Sequence, residues 1–286
     1  MGIKKKIKSE LKRIKYFFSA KYAVNIPVLY GELLKGRTAL ITGGTSGIGY
    51  AIADAFMRNG ADVIITGRNQ DRIGKACKSL IENNPNGKAS GTVLNNCDIS
   101  GMPEAFEIAK KLVGGGINIL VNNAGVINKT NFYNATESDY DNVLDTDLKG
   151  TFFLTKLVSE HMRANKIRGN ILNISSSSAL RPASTPYHLA KWGIRGMTLG
   201  LAKELSQYGI IVNAIAPGPT TTPMLLNDGD HDISRTSSPS GRYTVAEEIA
   251  NLAVILVSDL GRMVNGDTLY ATGGCGNLTL DDWSNV

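Results

Sequence analysis

The chain has 286 residues, 42% of them hydrophobic and 20% charged, which is enough apolar material to bury a substantial core. Apolar runs long enough to span a membrane, about 18 residues, are missing from it. The net charge of +6 sits almost entirely in the first 21 residues, where eight lysines and arginines face the single Glu10, so the remaining chain is near neutral and no nucleic-acid partner is expected.

In chain order the first element is "MGIKKKIKSELKRIKYFF". At about 100° per residue Ile3, Ile7, Leu11, Ile14, Phe17 and Phe18 share one side of a helix, interrupted by Glu10, and most lysines lie on the other. A basic amphipathic helix of this kind reads as a peripheral contact with an anionic membrane through residues 1–21, on the inner face of a cytoplasmic membrane. Equally, its stripe fits against the rest of the chain or a neighbouring subunit, because one apolar surface looks like another to such a helix. The N-terminus lacks the long apolar stretch of a secretory signal. Cys77, Cys97 and Cys275 are odd in number and not in ligand spacing, which points to a reducing, cytoplasmic setting with no metal site.

Residues 1–36 therefore form a basic extension and residues 37–286 one domain. From residue 37 onward, short apolar runs at 37–42, 62–66, 91–95, 117–121, 170–175, 210–216 and 267–271 read as strands. Amphipathic stretches at 47–59, 101–113, 137–164, 187–208 and 244–257 read as helices between them. Strands that are apolar on both faces and separated by helices predict a doubly wound parallel sheet of Rossmann type, an α/β fold of three layers.

The first strand runs into "TGGTSGIG" and then into a helical stretch. Glycines there let the backbone turn tightly and approach a pyrophosphate, whose charge the helix N-terminal amides can meet. Tyr187 and Lys191 stand one helical turn apart and so project from one face. A unit charge at ~4 Å in an effective dielectric of ~20 is worth ~4 kcal/mol. That corresponds to about three pKa units, enough to bring a phenol near a neutral working pH. A carbonyl substrate also needs a donor for its oxygen, and the run Ser175 to Ser178 offers one: Ser176 first, Ser175 or Ser177 otherwise. His161, His188 and His231 form no nucleophile or metal constellation; His188 points away from Tyr187 and reads as a packing or substrate-rim residue. The polar loop from Met224 to Gly241 is long enough to be functional.

Thr42 to Gly49 in T-G-x-x-x-G-x-G spacing, Asn-Asn-Ala-Gly at 122–125, Tyr-x-x-x-Lys at 187–191 and "PGPTTT" at 217–222 together resemble the short-chain dehydrogenase/reductase family, in the single-domain form that includes 3-oxoacyl carrier-protein reductases. The resemblance spans about residues 37–275. It implies a nicotinamide dinucleotide held by Gly43, Thr45, Ser46, Gly47, Ile48, Gly49, Asp98, Ile99, Asn123, Ala124, Gly125, Tyr187, Lys191, Pro217, Gly218, Thr220 and Thr222. Asp98 would contact the adenine; read from the sequence alone it could also cap the next helix. Where an NAD-selective enzyme would carry a carboxylate after its second strand, this chain has Gly67 and Arg68, a guanidinium suited to a 2′-phosphate. NADP is therefore the expected cofactor, with NAD the alternative. The implied activity is hydride transfer between the cofactor and a carbonyl or secondary-alcohol substrate, with Tyr187 as acid or base and Lys191 also on the nicotinamide ribose. An NAD-linked sugar or polyol dehydrogenase, or a nucleotide-binding protein of low turnover, are the alternatives. Family members commonly carry Asn where this chain has Asp147, and a carboxylate there could pair with Lys191 and weaken its effect on Tyr187. The helices over 137–164 and 187–208 commonly build the family's dimer and tetramer contacts, so a homodimer or homotetramer is implied.

Overall fold

The computed structural model describes residues 31–127, 130–222, 233, 235, 238–276 and 278. The helix expected over residues 1–21 and most of the loop 224–241, His231 included, lie outside the described residues.

Seven strands, β1 (Thr38–Ile41), β2 (Asp62–Gly67), β3 (Ala89–Val93), β4 (Ile119–Asn122), β5 (Asn170–Ile174), β6 (Ile211–Pro217) and β9 (Thr268–Ala271), form one sheet. Their order is β3-β2-β1-β4-β5-β6-β9 and every pairing is parallel. Side chains alternate between the two faces of each strand. Leu40, Ile64, Leu120 and Ile171 therefore enter one core, and Ile41, Ile65, Val121 and Leu172 enter the other. The first core is closed by α3 (Met102–Leu112), α5 (Gly150–Ala164) and α6 (Pro186–Leu205) through Phe106, Leu154, Val158 and Leu205. The second is closed by α1 (Gly47–Arg58), α2 (Gln70–Asn83) and α7 (Ala246–Val257) through Phe56, Ile73, Leu80 and Ile249. This is the expected three-layer, doubly wound architecture. Strands buried on both faces must be apolar throughout, which is why they were legible as runs rather than alternations.

The strand order reverses between β1 and β4, and in such sheets a crevice opens there beyond the carboxyl ends of the strands. Ahead of β1, Leu34 is already fully buried, and its amide donates to the Asn59 carbonyl at the end of α1.

Several elements differ from expectation. Helix α2 was not anticipated, because only Ile73, Ala76 and Leu80 of its 14 residues are buried and the apolar stripe is correspondingly thin. The third strand sits two residues earlier than its apolar run suggested. The stretch at 244–257 opens with a two-residue strand, β8 (Thr244–Val245), paired with β7 (Thr220–Thr221), before α7 begins. Most consequential is the segment 137–164. It is α4 (Glu137–Val143), then one wide π-helical turn over Leu144–Lys149, then α5. A π turn inserts extra backbone into the helix and re-aims side chains, often at functional sites. Here it carries Asp147, which is fully buried.

Candidate active site

The glycine turn is held from behind by β4. Thr42 Oγ1 accepts from the amides of Asn123 and Ala124, each at 2.9 Å, and Asn123 Nδ2 donates to the carbonyls of Thr42 and Gly43 at 2.9 and 3.1 Å. Gly43 and Gly47 have φ of +63° and +56°, a region in which a side chain is strained. A Cβ on Gly49 would lie 2.4 Å from Asn123 Nδ2. The polar side chain of Asn123 thus occupies the space that glycine leaves. At the start of α1, Ser46 makes no side-chain cap and the first turn holds no acidic residue, so the helix amides face outward without a competing anion.

The chemical end is built on α6. Thr185 Oγ1 accepts from the His188 amide and Pro186 occupies the first helical turn, an arrangement that starts the helix at this point. Tyr187 therefore lies in the opening turn, and Lys191 follows on the same face. The Lys191 ammonium is 5.4 Å from the Tyr187 ring centroid and donates to the Ile174 carbonyl at 3.3 Å. Its carboxylate partner is Asp147 Oδ2 at 3.0 Å, in a pair whose side chains are 6% and 0% exposed. The contact is an ion pair without hydrogen-bond alignment, since Oδ2 has no hydrogen-bond partner among the described residues. Asp147 Oδ1 accepts from the Val126 amide at 2.7 Å. Gly125 is required beside it, because a Cβ there would stand 2.9 Å from Oδ2. Burial works against the charged lysine, but the Asp147 carboxylate more than offsets it, with Tyr187 assisting, and the Lys191 pKa is raised above the ordinary lysine value.

Ser175 is buried and its hydroxyl donates to the Lys191 carbonyl at 3.1 Å. Ser176 is half-buried, and its Oγ accepts from the Ser178 amide at 3.1 Å, which leaves its hydroxyl proton free to donate. Of the serines considered, Ser176 fits the donor role best.

One cavity of about 400 Å³ brings most of these groups together. Gly43, Ser46, Gly47, Ile48, Asn123, Ala124, Gly125, Asp147, Ser176, Tyr187, Lys191, Pro217, Gly218, Thr220 and Thr222 all line it. Thr45, Gly49, Arg68, Asp98 and Ile99 do not. Gly49 is buried behind the turn, and Thr45 packs its methyl group where a side chain on Gly67 would go. Arg68 is exposed just past β2 and makes no hydrogen bond or ion pair to the described residues. Asp98 turns to its own loop: its Oδ1 accepts from Ser100 Oγ at 2.7 Å and from the Gly101 amide at 3.1 Å. Those bonds, Ser100 first, lower its pKa. Ile99 packs on the first core. Sequence reasoning missed Val126, Ile127, Arg181 and Arg235, which also line the cavity. Arg181, three residues past the serine run, carried a readable signal, and Arg235 lies in the polar loop over 224–241 that was read as functional without being singled out. His188 is outside the lining; its pKa is lowered by burial and secondarily by the charge of Arg181. Among the described residues no cluster of histidine, cysteine or acidic groups could hold a metal, and the three cysteines are free. No described helix is long and apolar enough to cross a membrane.

A family model described as enoyl-(acyl carrier protein) reductase matches residues 43–276. The curated 3-oxoacyl-(acyl-carrier-protein) reductase FabG of Aquifex aeolicus is 36% identical over 245 residues, covering 84% of this chain and 98% of that protein. A 3alpha-hydroxysteroid dehydrogenase of Mediterraneibacter gnavus is 34% identical over 245 residues, covering 84% and 97%. Among solved structures, a short chain dehydrogenase from Burkholderia cenocepacia J2315 in complex with NADP superposes with a TM-score of 0.77 at 31% identity, over 86% of this chain and 99% of that one. Levodione reductase gives a TM-score of 0.79 at 29% identity, over 86% and 100%.

Proposed function

Because this chain belongs to the short-chain dehydrogenase/reductase family and is an oxidoreductase of that kind, we propose that it interconverts a carbonyl compound and a secondary alcohol with NADP(H). The observation that carries this reading is the cavity in which Tyr187, Lys191 and Ser176 face the same space as the glycine turn. When bound, the nicotinamide supplies or accepts the hydride. The residues present fit such a dinucleotide: glycines a Cβ would obstruct, and uncapped amides at the start of α1 for its pyrophosphate. Gly67 and Arg68 after β2 present a cation and no carboxylate, which favours a 2′-phosphate. Asp98 stays assigned to the adenine, its carboxylate oriented by the bonds that Oδ1 accepts from Ser100 and Gly101.

In the reductive direction Ser176 donates to the substrate oxygen and Tyr187 delivers a proton to it. Lys191, kept charged by Asp147, holds positive charge beneath the Tyr187 ring. The same ion pair supports a second reading, a nucleotide-binding protein with slow turnover, because Asp147 offsets the charge that the phenol would otherwise feel. One experiment separates the two: absorbance of the reduced nicotinamide followed over ketones, 3-oxoacyl thioesters and keto sugars with NADPH and NADH. Turnover of at least one carbonyl, faster with NADPH, is expected; binding of NADPH without turnover of any class would favour the second reading.

Half-exposed Phe152, Phe153, Trp192 and Leu199 on α5 and α6 support a homodimer or homotetramer through these helices. A monomeric mass by light scattering would refute it. We keep the cytoplasmic assignment, with residues 1–21 on an anionic surface, as the reading to test by co-sedimentation of full-length and truncated protein with anionic vesicles.

A further inference from the structure

We propose that the substrate is an anion, a carbonyl compound or secondary alcohol bearing a carboxylate or phosphate group, and that Arg235 with Arg181 meets its charge. The proposal rests on the oxidoreductase reading above and adds to it the substrate class. Among the described residues lining the cavity the charged groups are Asp147, Lys191, Arg181 and Arg235. Asp147 and Lys191 cancel one another at 3.0 Å, so among the described residues two guanidinium groups remain with no carboxylate set against them.

Arg235 is built into place. Its amide donates to the Gly241 carbonyl at 2.8 Å, and its carbonyl accepts from the Ser238 amide at 3.0 Å. That turn is fastened to the loop after β9, where the Ser240 amide donates to the Gly273 carbonyl at 3.1 Å and Cys275 Sγ donates to Ser238 Oγ at 3.2 Å. The guanidinium carbon stands 5.0 Å from the Tyr243 ring centroid, and Nε is buried with no hydrogen-bond partner among the described residues. A buried donor left unmade is destabilising, and an entering oxyanion would satisfy it. Arg181 comes from a different segment of the chain, just after the turn that follows β5. Its carbonyl accepts from Trp192 Nε1 at 2.8 Å, which fixes the backbone, while its exposed side chain has no ion pair among the described residues. Planar guanidinium groups lining one cavity suit the two-pronged geometry of a carboxylate or phosphate. An uncharged substrate would leave both unanswered.

The test compares matched pairs with full-length protein and NADPH: acetoacetate against ethyl acetoacetate, and dihydroxyacetone phosphate against dihydroxyacetone. The anionic member of one pair is expected to lead in kcat/KM by about tenfold, the scale of one charge-assisted hydrogen bond. The pair that shows it tells carboxylate from phosphate. In Arg235→Gln that ratio should fall toward one through KM, and in Arg181→Gln it should fall part of the way. Equal use of charged and neutral members overturns the proposal. Calorimetry on NADP-saturated protein, titrated with malonate and with glycerol 3-phosphate, reads the same site without turnover. Binding of one anion, weakened about tenfold in Arg235→Gln, supports the proposal; binding of neither refutes it. Failure of every pair to turn over returns the oxidoreductase reading to the wider panel of ketones, 3-oxoacyl thioesters and keto sugars, and leaves calorimetry to decide the present proposal. Loss of NADP affinity in Arg235→Gln, with the anion preference intact, assigns Arg235 to the cofactor and overturns the proposal.

Discussion

The two ends of the cavity are made of different material. At the glycine turn the surface is backbone: positive-φ glycines, uncapped amides of α1 and one asparagine side chain that braces the turn from behind. At the α6 end the surface is ionisable side chains, and the most buried of them, Lys191, is matched by Asp147. Backbone dipoles meet an anion without placing a full charge in the interior. A buried ammonium needs a counter-charge to remain ionised. The first device tolerates no added atoms, and the second tolerates no lost partner.

The largest effect should come from the acid itself. Tyr187→Phe is expected to lower turnover by about 10²- to 10⁴-fold, the usual worth of a positioned proton donor. The glycine end should be unaffected, so NADPH binding measured by fluorescence titration stays near wild type. Persistent turnover in this variant would remove Tyr187 from the chemistry and dissolve the contrast between the two ends.

Asp147→Ala probes the buried pair directly. Leaving Lys191 uncompensated in an apolar site should destabilise the fold by about 3–5 kcal/mol in urea unfolding. The linkage has a definite sign. The folded-state pKa of Lys191 is raised, so the stability its pairing contributes is fully present below the ordinary lysine value of about 10.4 and is lost as pH rises through the folded value. The stability gap between wild type and variant should therefore hold across neutral pH and close only at strongly alkaline pH. A gap already closed at pH 8 would show that the pair is not the source of it.

At the cofactor end Arg68→Ala should weaken NADP binding by about 1–3 kcal/mol and leave NAD almost unchanged. Equal losses for both dinucleotides would mean that Arg68, exposed past β2, does not read the 2′-phosphate. The smallest effect belongs to Asp147→Asn, which keeps an oxygen for the Val126 amide while removing the charge that offsets Lys191. Its pH profile of kcat/KM should move to lower pH, because the ammonium, still held by the Ile174 carbonyl and by the charge that develops on Tyr187, then acts on the phenol without the offsetting carboxylate. A profile that stays in place would deny the carboxylate any part in proton transfer.

The glycine end was legible in the sequence because its requirements are local. A positive φ or a close backbone approach calls for glycine at that one position, whatever the rest of the chain does. Gly43, Gly47 and Gly49 announced the turn, and Tyr187 and Lys191, one turn apart, announced the face that their helix presents. The polar composition of α2 hid that helix: Ile73, Ala76 and Leu80 keep helical spacing, but few apolar residues stand among its 14.

Residue types and their spacing by themselves determined the parallel layered sheet, the glycine turn and the one-turn separation of Tyr187 from Lys191, all of which follow from apolar runs and helical periodicity. The family resemblance raised the pairing of Asp147 with Lys191, but only the tertiary structure decided that these charges meet. The π turn over Leu144–Lys149 swings Asp147 onto Lys191, 44 positions further along the chain, while Ser175 is drawn to the Lys191 carbonyl and Ser176 is left free. Arg235 reaches the same cavity from a loop with no periodicity, held by contacts to Gly273 and Cys275. Pairing between distant side chains depends on the packing of whole elements and falls off with each ångström between them, so no local pattern in the chain could encode it.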